Sequence, residues 1–96
     1  MRPPIHPGEI LADELVELGV TPTELARQIE VPANRLSEIV RGRRGISGDT
    51  ALRLGHWFGT SPQFWINLQN SYDLKLAAER AGAAIGRLPT RLATAA

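Results

Sequence analysis

The 96-residue chain predicts an all-α fold of five helices in a single domain. Three observations carry that prediction. Apolar residues recur at helical spacing and nowhere alternate as they would in a half-buried strand. Several segments open on a Ser or Thr followed by a proline or an acid, and glycines stand where those segments end. The length is enough for one hydrophobic core and too short for two.

The first helix is expected from Pro7 to Leu18, ending at Gly19. Leu11, Leu15 and Leu18 form its buried stripe, and Glu9, Asp13, Glu14 and Glu17 lie on the other side. Residues 21–44, TPTELARQIEVPANRLSEIVRGRR, then read as two short helices around a tight turn. Thr21 is the N-cap of the first, Pro22 its opening residue, and Glu24 completes a capping box. Leu25, Ala26 and Ile29 supply its apolar stripe, and small Ala26 lets the next helix cross closely. Glu30-Val31 leaves room only for a sharp turn, with Val31 plugging the angle. The next helix starts at Pro32, turns Leu36, Ile39 and Val40 inward, and stops at Gly42. This is the layout of a helix-turn-helix at about 22–41, in which the second helix enters the DNA major groove.

A fourth helix is expected from the N-cap Ser47 to about Phe58, with Asp49 favourable in its first turn and Gly59 ending it. Ser61-Pro62 opens a fifth that extends to Ala81, with Asn70-Ser71 as a candidate break. All five aromatic residues fall between Trp57 and Tyr72. On a 3.6-residue wheel Phe64, Trp65, Leu68, Tyr72 and Leu76 share one face. Ile66, Leu74, Ala77 and Ala81 share a roughly opposite one. A second apolar face needs a second surface, so this helix (62–81) is expected to dimerise through Ile66, Asn70, Leu74 and Ala77. Residues 1–81 are expected to form the domain, and the tail 82–96, rich in small residues, to be disordered.

Composition excludes whole classes of function. With no cysteine there is no disulfide scaffold, thiolate metal site or Cys nucleophile. No apolar run is long enough to span a membrane, and the N-terminus lacks the apolar stretch of a signal peptide, so a cytoplasmic protein is expected. His6, Glu9 and His56 lack the further ligands of a metal site, and His6 stands beside a helix start, where a structural role is expected. Neither a phosphate-binding glycine loop nor a catalytic triad context is present. An enzyme is not expected, nor any cofactor.

The net charge of +1 hides an asymmetry. Residues 1–30 carry −4, residues 31–60 carry +3 and the remainder +2. An acidic front and a basic middle suggest two surfaces with different partners.

With these elements placed, the chain resembles the HigA/VapI group of antitoxins within the Cro/cI-type (XRE) family. The resemblance rests on HPGEIL at 6–11, ELARQIEVPANRLSEIVRGRR at 24–44, DTALRLGHWFGTSPQFWINLQ at 49–69 and YDLKLA at 72–77. It implies a five-helix, lambda-repressor-like domain that forms a homodimer, represses its own operon and neutralises a co-encoded RelE-like, HigB-type mRNA-cleaving toxin. The alternatives are a stand-alone regulator without a toxin and a protein-interaction module on the same fold. Two positions depart from the family pattern. Glu30 stands where the family often has glycine, which implies a less comfortable backbone or a different turn. Pro22 stands where many relatives have a polar residue able to touch phosphate, leaving Thr23 as the nearest substitute.

Matching to the family motif places Ala33, Asn34, Arg35, Ser37 and Glu38 on the DNA side of the recognition helix. Asn34 can pair with adenine, Arg35 with guanine N7 and O6, and Ala33 can pack on a thymine methyl. Glu38 could accept from cytosine, but pairing with Arg35 or Arg41 one turn away is the favoured expectation. Arg41, Arg43 and Arg44 suit phosphate or minor-groove contact. The expected target is double-stranded DNA bearing a palindromic operator. For a basic RNA-cleaving toxin, the acidic side of the first helix (Glu9, Asp13, Glu14, Glu17) is the complementary surface.

Overall fold

A computed structural model describes residues 3–91. Its five α-helices are α1 (Pro7–Leu18), α2 (Pro22–Ile29), α3 (Ala33–Val40), α4 (Gly48–Phe58) and α5 (Pro62–Gly86). There is no strand among the described residues. The caps expected at Thr21, Ser47 and Ser61 all form, each side-chain oxygen accepting a backbone N–H from the first turn that follows. Gly19, Gly42 and Gly59 all take the left-handed backbone that lets a helix stop abruptly.

Two local expectations change. The capping box forms at α1, not at α2. His6 Nδ1 accepts from the Gly8 N–H at 2.9 Å, and Glu9 Oε2 accepts from the His6 N–H at 3.1 Å. At α2 only half the box exists: Thr21 Oγ1 accepts from the Glu24 N–H at 3.1 Å. The Glu24 carboxylate is drawn away by neighbours one turn on, Arg27 Nε at 2.9 Å and Gln28 Nε2 at 3.1 Å. These hydrogen bonds hold the Glu24 pKa at about 2. Pro32 is the N-cap of α3, not its first residue, because its ψ of 138° is extended.

The helices close on one core in which Leu11, Leu25, Leu36, Ile39 and Leu54 are completely buried, with Trp65 as the largest side chain. Val31 fills the α2–α3 angle and Ala26 is buried at the crossing, as their positions predict. Leu18 does not join the stripe of α1: it is 54% exposed, and the buried side of the helix ends at Leu15, one turn before the Gly19 cap.

His6 is buried with its ring edge-on to Tyr72 of α5, centroids 4.8 Å apart. Burial lowers its pKa below the ordinary 6.5, although Glu9 and Asp73 pull the other way. The unfolded chain therefore takes up this proton first as pH falls through about 6.5. Stability is expected to decline with falling pH just below that point, while carboxylates remain ionised. His6→Asn, whose amide oxygen can keep the cap, should flatten that part of a plot of urea midpoint against pH. An unchanged slope would assign it to another group.

Helix α5 runs unbroken through Asn70-Ser71, since neither residue removes a backbone donor and Tyr72 beyond them packs against His6. It also continues past Ala81 to Gly86, so 82–86, expected to be disordered, is helical. The alanine-rich surroundings offset the roughly 1 kcal/mol that Gly82 costs a helix. Of the expected tail, residues 92–96 lie outside those described. At about 1.5 Å per residue α5 is on the order of 37 Å long, and the molecule measures 56 × 25 × 21 Å. Its distal half projects beyond the core. Asn70, Leu74 and Ala77 are exposed there, Leu74 by 71%. Ile66, expected with them, packs instead against the core, being a quarter turn from Trp65 on a helix whose first turns α4 covers.

Candidate nucleic-acid interface

The α2–α3 turn is held from three sides. Glu30 adopts φ 58° and ψ 52°, left-handed backbone that costs a non-glycine residue about 1–2 kcal/mol. The turn closes through the Val31 N–H on Ala26 O at 3.0 Å. From α4, Arg53 Nη1 donates to Ile29 O at 2.8 Å and reaches Glu30 O at 3.5 Å, satisfying carbonyls the helix end leaves free. Glu30→Gly is therefore expected to stabilise the domain by about 1 kcal/mol and raise Tm by about 4–8 °C in a calorimetric scan. A lower Tm would mean that the Glu30 side chain, not its backbone, matters to the turn.

Leu36 and Ile39 bind α3 to the core, which leaves Asn34, Ser37, Glu38 and Arg41 along its outward side. Ala33 is exposed at its first turn, and Thr23 at the first turn of α2. Arg35 is set differently. It lies roughly a quarter turn off that outward side, and its Nη1 is 3.3 Å from Asp49 Oδ2 on α4.

Beyond Val40 the chain reverses in a glycine-dependent turn. Gly42 has φ 75°, its N–H reaches Ile39 O at 3.0 Å, and the Arg43 N–H reaches Glu38 O at 2.8 Å. This reversal swings Arg44 back over α3, where its Nη2 meets Glu38 Oε1 at 2.8 Å. Glu38 is thus paired internally, but with Arg44 and not with Arg35 or Arg41, because the turn and not the helix repeat brings its partner. Arg41 and Arg43 are exposed and form no ion pair with a described residue. The basic end of α3 therefore offers two unneutralised guanidiniums.

Several positioning residues escape a reading of the sequence alone. Gln69 of α5 accepts the Ile46 N–H at 2.7 Å and donates to Asp73 Oδ1 at 2.9 Å, pinning the α3–α4 loop. Gly45 lies so close to that amide that a Cβ there would sit 3.1 Å from it. The available signal was a glutamine on the same side of α5 as Trp65 and Tyr72. Gly8 meets the carbonyl end of α3 even more closely: a Cβ on it would fall 1.7 Å from Ile39 O. On α1, Glu9, Asp13, Glu14 and Glu17 are all exposed, with Val16 beside them 81% exposed.

Residues 11–65 match the family model described as helix-turn-helix. The chain is 49% identical over 78 residues to virulence-associated protein I of Dichelobacter nodosus, covering 80% of this chain and 72% of that protein. A HigA-family addiction module antidote protein from Coxiella burnetii superposes with TM-score 0.90 at 48% identity, over 93% of this chain and 98% of that one. The Pseudomonas aeruginosa antitoxin HigA, solved with the higBA promoter, superposes with TM-score 0.89 at 50% identity, again over 93% and 98%. No helix among the described residues is long and apolar enough to cross a membrane. Domain match, fold and sequence identity agree: the chain belongs to the XRE-type helix-turn-helix family, among the HigA-type antitoxins, which bind DNA and are not enzymes.

Proposed function

We propose that this protein is an autorepressor and antitoxin: a homodimer that binds a palindromic operator upstream of its own gene and neutralises a RelE-like, HigB-type mRNA-cleaving toxin. The observation that carries the DNA half is the outward side of α3, with Asn34 and Arg41 exposed, Ser37 half-buried between them, and Arg43 unpaired among the described residues just beyond. Asn34 can read adenine and Ser37 either base type, with Ala33 against a thymine methyl. Arg41, Arg43 and Thr23 supply backbone contacts, and Arg44 joins them where phosphate displaces Glu38. The Pseudomonas aeruginosa relative's promoter complex supports the same use of the fold here.

Dimerisation follows from the projecting half of α5. An isolated helix of that length is marginal in water, and this one carries exposed Leu74 and Ile85. A second copy covering Asn70, Leu74 and Ala77 would stabilise it and set two α3 helices about 34 Å apart, one turn of DNA. The toxin half rests on charge: an RNA-cleaving toxin is basic, and α1 presents four exposed carboxylates around Val16.

Fluorescence anisotropy on the DNA upstream of the gene and on a scrambled duplex, across a salt series, tests the DNA half. Tight binding with a clear preference for the upstream DNA is the expected result; equal, weak, salt-sensitive binding to both would remove the repressor. Arg43→Ala is expected to weaken binding to every duplex and to lower the salt slope by about one phosphate contact. An unchanged slope would take Arg43 out of the interface. The double reversal Glu14→Lys and Glu17→Lys should abolish capture of a HigB-type toxin and spare DNA binding. Intact capture would place the toxin surface elsewhere.

A further inference from the structure

Arg43 and Arg44 stand between two glycines, Gly42 and Gly45, in a segment whose backbone has few restraints of its own. Its leading end is held by α3: the Gly42 N–H reaches Ile39 O and the Arg43 N–H reaches Glu38 O. Its trailing end is held by α5. The Ile46 side chain is buried, and the peptide joining it to Gly45 is fixed by Gln69, whose Oε1 accepts the Ile46 N–H at 2.7 Å. Gln69 is held in turn, since its Nε2 donates to Asp73 Oδ1 at 2.9 Å. These two contacts decide which way the amide points. Reversed, its NH2 would face a donor and its oxygen a carboxylate. A Cβ on Gly45 would lie 3.1 Å from the same amide, so the loop rests directly on it.

We propose that Gln69 is a positioning residue for DNA binding, which fixes the loop so that the backbone of Arg43 and Arg44 is in place before phosphate arrives. This rests on the DNA-binding reading above. An arginine on a loop already in place gives up less freedom on binding than one whose loop must first settle, and the difference appears as affinity. Gln69 acts only through the two guanidiniums. Its effect therefore falls on every duplex, because phosphates carry no sequence information. Asn70 and Leu74 adjoin Gln69 and Asp73 on the same turns of α5. The helix proposed to pair two copies thus also sets the place of the arginine loop in each.

The test is anisotropy on the upstream and scrambled duplexes, at a temperature where circular dichroism shows each variant folded. Gln69→Met keeps the length and removes both hydrogen bonds. It is expected to weaken binding to both duplexes by about three- to tenfold. In a background of Arg43→Ala with Arg44→Ala, the same substitution should change binding by less than about twofold. A role confined to stability would lower Tm and leave both affinities unchanged. Reversing the polarity of the pair is the second probe. Gln69→Glu combined with Asp73→Asn lets a carboxylate oxygen accept the Ile46 N–H while the new amide donates to the other oxygen, at the same net charge. Affinity should return to within about twofold of the unsubstituted protein. Gln69→Glu alone sets two carboxylates face to face and should bind no better than Gln69→Met. Unchanged binding by folded Gln69→Met, an equal loss in the background lacking both loop arginines, or no recovery in the reversed pair would overturn the proposal. Absence of preference in the unsubstituted protein would instead fail the DNA-binding reading, an outcome seen before any variant is made.

Discussion

Gly8→Ala is expected to lower Tm by about 12–24 °C, the equivalent of roughly 3 kcal/mol in a domain of this size. Helix propensity alone predicts the opposite sign, since alanine is favoured over glycine in a helix by about 1 kcal/mol. Packing decides against it. The new methyl carbon would sit 1.7 Å from Ile39 O and 2.7 Å from Ile39 C, both backbone atoms that cannot rotate aside. Helix α1 must therefore draw back from the C-terminal end of α3. That movement also takes the His6 ring from its place near Gly42, where a Cβ would lie 3.8 Å from His6 Cγ. Circular dichroism melts give the stability change, and anisotropy on the upstream duplex reports whether the displaced recognition helix still reads it. A Tm that rises would mean α1 and α3 are not in contact at Gly8.

Trp65→Ala should cost about 3–5 kcal/mol, a large share of the roughly 5–14 kcal/mol expected for a chain of this length. Trp65 is 1% exposed and is the largest fully buried side chain. Its ring lies 5.4 Å from Phe58 and 5.1 Å from Phe64, tying the end of α4 to the start of α5. Its Nε1 finds no acceptor among the described residues. Trp65→Phe removes that donor as well as volume, so it should cost less than half as much as alanine, measured by urea unfolding. A Phe variant as unstable as the Ala variant would show that the indole N–H is bonded after all.

The local signals in this chain were legible because each acts within one turn. A hydroxyl at Thr21, Ser47 or Ser61 caps the amides just ahead of it, and a glycine at 19, 42 or 59 ends a helix wherever its neighbours come from. The same logic misjudged Glu24, whose carboxylate had two nearer suitors, and Gly82, where alanine-rich neighbours carried the helix on. The interface was only half legible. Matching to the family motif placed Ala33, Asn34, Arg35, Ser37 and Glu38 together on one side of α3, but Arg35 lies on the flank facing α4, where it meets Asp49.

By itself the sequence determined five helices, their limits to within a residue or so except at the end of α5, and the helix-turn-helix that identifies the family. These depend on interactions between residues three or four apart. Tertiary structure alone decided which charges are spent and which are free. Arg35 meets Asp49 across 14 residues, Arg53 reaches Ile29 across 24, and Gln69 takes the Ile46 amide across 23. Such pairs depend on how the helices cross, and an apolar stripe sets which side of a helix is buried without setting the angle or register at which two stripes meet.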